Sequence, residues 1–339
     1  EYAGILRVAV ATAGNDHRLG ANEAPPAIVS IYLGEQLNTI VNNLVDGEHS
    51  NAKRSKYLET GVDILPIIKK DATDRNRTSP FAFTGNRFEF RMPGSSQSAA
   101  GINIIINTIV AETLSQFADV LEKVDDEADM NEKAMELVID TFAKHRRIIF
   151  DGNGYSDEWV EEAAKRGLPN LKTTVDALPY FSSEKSVKLF EKHNVLTKVE
   201  TETRTEIMIE DYSKAVHIEM LTALEMLKRE ILPACLAYTS FVADDIVKKE
   251  SIGISVPHEK TKAVKLSELT EKMIAKTDAL ETVAANIPEE GGAIEIAAYY
   301  KDCVLPAMAE AREVADMLET IVAKEYWPFP TYTELLYFI

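Results

Sequence analysis

Beyond about residue 125 strand signals nearly vanish and apolar residues recur at helical spacing, so any sheet this chain builds must come from what precedes. Residues 203–250 and 261–324 read as two long antiparallel helices or helix pairs, each interrupted by a proline, Pro233 and Pro306, that should kink or break it. The stretches ILPACLAYTSFVAD and VLPAMAEAREVAD around these prolines look alike, though over too short a length to call a repeat. Earlier in this region, DGNGYSDEWVEEAAKRGLP (151–169) reads as a Gly-rich loop, a Ser156 N-cap, acids in the first turn, and Gly167 then Pro169 as the stop. Gly152 and Gly154 match the spacing of neither common phosphate loop.

Before residue 125 the elements are shorter. Residues 5–11 alternate with a period of two and predict a strand ending at Gly14. NDHRLGANEAPP (15–26) reads as a loop, and Pro25 and Pro26 are placed to open a helix, with Ile28, Ile31, Tyr32 and Leu37 on its apolar stripe, to about residue 45. Polar residues 46–60 read as a surface excursion and GVDILPII (61–68) as a short strand. Residues 98–124 carry helical spacing with small residues early, which suggests a helix set closely against a sheet. The fold class is therefore α+β, with a soft boundary separating residues 1–125 from a long helical region, 126–339.

The chain has 339 residues and a formal charge of -18, from 55 acids and 37 bases. That field repels nucleic acid and anionic membrane surfaces, so neither is an expected partner, and an anionic ligand needs a local basic cluster. Uninterrupted apolar runs stay well short of the roughly 20 residues a bilayer crossing needs. The only cysteines, Cys235 and Cys303, have no metal-type spacing and suit a reducing cytoplasm. The opening EYAGILRVAVATAG lacks the marks of a signal peptide and an initiator Met, and is expected to begin inside a larger protein. The closing EYWPFPTYTELLYFI, rich in aromatics and proline, should dock on a core or a neighbouring subunit.

RNRTSPFAFTGNRFEFRMPGSSQS (75–98) departs from this pattern of short apolar elements. In an extended strand, Arg87, Glu89 and Arg91 project from one face and Phe88, Phe90 and Met92 from the other. A solvated face with cross-strand ion pairs is one reading. The other is an anion site: the strand runs into Pro93, Gly94 and an apolar helix, Arg75 and Arg77 add cations nearby, and a guanidinium fork suits carboxylate and phosphate oxygens. A carboxylate among these arginines suggests phosphoryl groups with a hard divalent cation. Arg18 and Glu23, in the 15–26 loop, gain chemical meaning only beside this strand.

Taken together, NDHRLGANEAPP, DRNRTSPFAFTGNRFEFRMPGSS, FDGNGYSDEWVEEAAKRGLPNLKTTVDALPYF and YWPFPTYTELL resemble, in this order, glutamine synthetase of the type III class. The resemblance implies the C-terminal half of a catalytic β-sheet or barrel domain over 1–125, followed by a helical, type III-specific C-terminal region over 126–339. It implies ligation of ammonia to L-glutamate with ATP as co-substrate and Mg²⁺ or Mn²⁺ as cofactor, through γ-glutamyl phosphate. By the same resemblance, Arg18 and Arg91 bind glutamate, Arg77 and Arg87 bind the phosphates of ATP, and Glu89 ligates metal. Glu23 takes a proton from ammonium, and Arg77 stabilises the phosphoryl group in transfer. The family also implies a homo-oligomer, for this class a double-ring dodecamer.

Two departures stand out. The loop from Arg18 to Glu23 is one residue shorter than the commoner RLVPGYEAP form, and Ala82 stands where other classes carry a phosphate-binding Arg, with Arg75 a candidate to compensate that the sequence does not establish. The family's N-terminal domain, most metal-binding glutamates and its metal-binding His lie before the matched region, and His17 is no evident substitute, so the isolated chain is expected to be catalytically incompetent. The rival readings are a helical oligomerisation module with a merely structural charged strand, and another carboxylate-amine ligase such as a glutamate-cysteine ligase.

Overall fold

The computed structural model describes residues 1–21, 24–47, 57–58, 68–69 and 79–337. The chain divides into two compact units, Glu1–Met208 and Ile209–Ile339. Helices dominate and the strands lie before residue 91 among the described residues, in keeping with an α+β fold.

The first unit opens with two short helices, α1 (Ala3–Val8) and α2 (Ala13–Arg18), then β1 (Ile31–Tyr32) and α3 (Glu35–Asp46). Two-residue strands β2 (Tyr57–Leu58) and β3 (Ile68–Lys69) pair with each other. Strands β4 (Phe81–Phe83) and β5 (Phe88–Phe90) form a hairpin, and β1 joins β4 in parallel to give the order β1-β4-β5. Gly85, at φ 97°, takes the positive-φ position in the tight turn between β4 and β5, where Thr84 N donates to Arg87 O. Helices α4 (Ala99–Leu121), α5 (Glu127–His145), α6 (Asp157–Lys165), α7 (Thr174–Ala177) and α8 (Glu184–Lys192) follow.

Four local expectations are corrected, the first being the loop read over 15–26, whose residues Asn15–Arg18 lie in helix α2. Residues 3–8 are a helix, not a strand: a short, nearly continuous apolar run fits either period, and here α1 buries Gly4, Ile5, Arg7 and Val8 against α4 and α7. A Cβ at Gly4 would overlap the Tyr180 ring, so only glycine permits that approach. The prolines at 25 and 26 do not start a helix; α3 starts at Glu35, after Gly34 at φ 80°. Its N-terminus is capped from far along the chain, because Asp151 Oδ1 accepts from Leu33 N (2.9 Å) and Gly34 N (3.1 Å) and Oδ2 from Asn38 Nδ2 (2.8 Å). Finally, α4 is where its periodicity put it, with Ser98 as N-cap, but its small residues Ala99, Ala100 and Gly101 are exposed. Its buried side, Ile102, Ile105, Thr108 and Glu112, faces α1, α5 and α8.

By length and composition α4 could cross a membrane, the one such helix among the described residues. It nonetheless carries Glu112 on its buried side, held by Lys192 Nζ (2.8 Å) and His193 Nε2 (2.7 Å) at the end of α8. Helix α6 follows its sequence signals: Ser156 Oγ accepts from Trp159 N, and Gly167 sits at φ 70° past the end. Trp159, 1% exposed, stacks on Phe150 at 3.7 Å between ring centroids and packs with Ile28, Ala163 and Leu168.

Helix α9 (Lys198–Met226) leads into the second unit, which also contains α10 (Leu232–Ser251), α11 (Pro257–Ala285), α12 (Ala293–Tyr299), α13 (Leu305–Glu319) and α14 (Tyr332–Leu336). Both interrupting prolines act in one way. A π-helical turn, Leu227–Ile231 before Pro233 and Tyr300–Val304 before Pro306, widens the helix where the ring would meet the carbonyl one turn back. Helix α11 packs against α10 and α13. In the closing segment, Tyr326 lies against Tyr238 (5.2 Å) and Phe241 (5.7 Å), so the aromatic tail docks in part on this unit.

Candidate functional site

The β4-β5 register sets the charged face. Glu89 pairs across the sheet with Ala82, so both side chains stand on the same side, while Phe81, Phe83, Phe88 and Phe90 make ring contacts at 5.2–5.8 Å on the other. That aromatic side is only partly core, since Phe88 is 48% exposed whereas Met92 is fully buried. Ala82 is also fully buried.

Along β5 the charges form a chain. Glu89 Oε2 accepts from Arg91 Nη2 (3.0 Å) and Nε (3.2 Å), and Arg87 Nη2 stands 3.4 Å from Glu89 Oε1. Exposure falls from Arg87 (72%) through Glu89 (35%) to Arg91 (15%). The Arg91 hydrogen bonds, then the nearby positive charges, hold the Glu89 carboxyl below its ordinary range.

Helix α2 brings Arg18 to the end of this strand. Its Nη1 donates to Met92 O (2.8 Å) and Asn15 Oδ1 (3.3 Å), and its Nη2 to Arg91 O (3.2 Å). Behind it, α2 is anchored by a buried ion pair. Arg7 Nη2 donates to Asp16 Oδ1 (2.9 Å) and Lys172 O (3.2 Å), its Nε to Leu171 O (2.8 Å), and Asp16 accepts from Thr174 N (2.6 Å) and Oγ1 (2.8 Å). Burial pushes the Asp16 carboxyl up and the Arg7 guanidinium down from their ordinary values, and the pair's mutual attraction and hydrogen bonds oppose both shifts.

Four of the six residues singled out in the sequence are therefore neighbours through hydrogen bonds or ion pairs: Arg18, Arg87, Glu89 and Arg91. Glu23 and Arg77, with Arg75, lie outside the described residues. Glu89 is the sole carboxylate among those four, and no group of three His, Cys, Asp or Glu among the described residues could hold a metal ion. The described residues thus fit an anion, through arginine forks, and do not by themselves fit a divalent cation.

The comparisons with known proteins agree with one another. A family model described as the glutamine synthetase C-terminal domain matches residues 133–250. Type-3 glutamine synthetase of Dictyostelium discoideum is 38% identical over 342 residues, 99% of this chain and 46% of its own length. Over nearly its whole length the chain is thus similar to a type-3 glutamine synthetase. Glutamine synthetases of Butyrivibrio fibrisolvens (40% identical; 99% of this chain, 48% of its own length) and Bacteroides fragilis strain YCH46 (34%; 98% and 47%) match to similar extents. The chain spans about half the length of those relatives.

The sequence reading missed Asn15, Asp16 and their anchors Arg7 and Thr174. Arg7 hid inside an apolar run, and Asp16 beside a basic pair read as loop polarity. A charged residue in such a run, with an acid nine positions on, was the available signal.

Proposed function

We propose that the chain forms part of an ATP-dependent glutamate–ammonia ligase, giving glutamine, ADP and phosphate. A γ-carboxylate oxygen of glutamate attacks the terminal phosphorus of ATP, the bond to ADP breaks, and γ-glutamyl phosphate forms. Ammonia nitrogen then attacks the acyl carbon, the C–O bond to phosphate breaks, and the surplus proton passes to Glu23. Arg18 and Arg91 hold the glutamate, Arg77 and Arg87 face the transferring phosphates, and fixed cations offset the charge that develops there. Mg²⁺ or Mn²⁺ would neutralise the phosphates, with Glu89 as a ligand only alongside donors beyond the described residues.

The observation that carries this reading is the single chain of contacts from Arg18 through the Arg91 backbone to Glu89 and Arg87. Two substrates that both carry anionic oxygens need such a strip of graded exposure. In this reading the small sheet is part of a larger catalytic sheet or barrel, with residues 1–125 serving the site and 126–339 the helical type III region. Exposed apolar side chains on the helices, among them Leu236 (53%), Phe241 (55%) and Val264 (57%), favour assembly as the second role of that region, with a double-ring homo-oligomer as its form.

Steady-state kinetics on a ligase of the relatives' length containing this chain tests the assignment. Arg91→Ala should raise the KM for glutamate at least about ten-fold, the loss of one charge-assisted pair, with the KM for ATP little changed; Arg87→Ala should do the reverse. The reading fails if the unaltered protein makes no glutamine from ATP, glutamate and ammonia, or if both variants leave both constants alone.

A further inference from the structure

We infer that Asn15 is the positioning residue for Arg18, an inference that rests on the substrate-binding role given to Arg18 above. Asn15 is 3% exposed and lies on the same helix, three residues before Arg18. Its side chain uses both ends. Nδ2 donates to Val10 O (2.8 Å) and to Met92 O (3.1 Å), and Oδ1 accepts from Arg18 Nη1 (3.3 Å). Met92 O is also the acceptor for Arg18 Nη1 at 2.8 Å, so the amide, the guanidinium and one strand carbonyl close a small ring of hydrogen bonds.

That ring does what a packing contact alone does not. The segment after α1, helix α2 and the exit of β5 are tied at one buried side chain, and the guanidinium plane is fixed by two acceptors on the same Nη1. Only an amide fits: Nδ2 must donate to two carbonyls while Oδ1 accepts from a cation, and no other side chain of this size supplies both. Nearly all of the side chain is removed from solvent, so water cannot stand in for either bond. Among the described residues, the Arg18 fork donates to Asn15, Met92 and Arg91. A second tie at the same junction, Gln97, donates to Ala9 O (2.9 Å) and accepts from Gly94 N (3.3 Å), and no hydrogen bond joins it to Arg18.

The test is a double-mutant cycle in the ligase of the relatives' length. Asn15→Asp keeps the shape and the contact to Arg18, loses both donors and sets a carboxylate beside the guanidinium. It should raise the KM for glutamate at least about ten-fold, with kcat within about three-fold and the KM for ATP unchanged, because the interaction lost is with bound substrate. Asn15→Ser, smaller and neutral, serves if the aspartate variant fails to fold, and should give the same split. Arg18→Lys should raise the same constant, and the double variant should be no worse than Arg18→Lys alone, as for a residue that acts through Arg18. Gln97→Ala should leave the KM for glutamate unchanged. The inference is overturned if the Asn15 variants lower kcat without moving that KM, if their effect adds to that of Arg18→Lys, or if Gln97→Ala reproduces it. If Arg18→Lys itself leaves the constant unchanged, the role assigned to Arg18 falls instead.

Discussion

Replacing Glu112 by Gln should cost about 2 kcal/mol at neutral pH, and the cost should disappear on acidification. Glu112 is 10% exposed at the side chain and accepts from Lys192 Nζ (2.8 Å), His193 Nε2 (2.7 Å) and Gln116 Nε2 (2.8 Å). A carboxylate can only accept, so the proton of that histidine contact sits on Nε2. These bonds, with Lys192 first, hold the Glu112 carboxyl down at about 2 from its ordinary 4.5. A depression of that size corresponds to about 3 kcal/mol, and because Lys192 is half-exposed, screening trims it toward about 2. A folded value below the unfolded one means the stabilisation is complete above about pH 4.5 and is lost as pH falls toward about 2. Glutamine keeps the shape and one acceptor but not the charge, so α4 and α8 lose their ionic tie.

The measurement is urea unfolding followed by Trp159 fluorescence in a Trp327→Phe background, which reports on the first unit alone, at a series of pH values from about 7 down to about 3. Wild type and Glu112→Gln should differ by about 2 kcal/mol at the neutral end and by less than about half of that at about pH 3, where the loss is under way. A gap below about 0.5 kcal/mol at neutral pH, or one that stays constant throughout, would refute the reasoning by showing that the carboxylate is no better placed in the fold than in water.

Asp151→Ala should destabilise the first unit by about 1–2 kcal/mol and speed amide exchange at Leu33 and Gly34 roughly 5–30-fold, because it strips the cap from α3; unchanged exchange would contradict the capping role. Cys235 is fully buried and burial pushes its thiol up to about 11, so a thiol reagent at mildly alkaline pH should label half-buried Cys303 first and Cys235 only on unfolding. Equal labelling rates in the folded protein would count against that core assignment.

Several features could be read from residue order because their causes are local. The period of two placed Arg87, Glu89 and Arg91 on one face, and the structure links them in the order 87-89-91. Ser156 caps the helix that begins one residue later, and both interrupting prolines disturb their helices where they stand. The motif order also carried the family resemblance, since motifs are written in sequence and not in space.

What stayed hidden depends on partners distant in the chain. A short apolar run such as residues 3–8 is compatible with strand and helix, and only burial against α4 and α7 decides for the helix. The start of α3 is set by a carboxylate 117 residues beyond Gly34, and no local pattern encodes that cap. Likewise Asn15 is an ordinary polar residue in the sequence, and becomes the hinge of the candidate site only when Val10, Arg18 and Met92 converge on it. By itself the sequence determined the resemblance to glutamine synthetases, the helical second part and the charged strand face, all products of short-range periodicity and motif order. The tertiary structure alone decided which polar groups satisfy one another, because a buried donor must find its acceptor in space, wherever in the chain that acceptor was encoded.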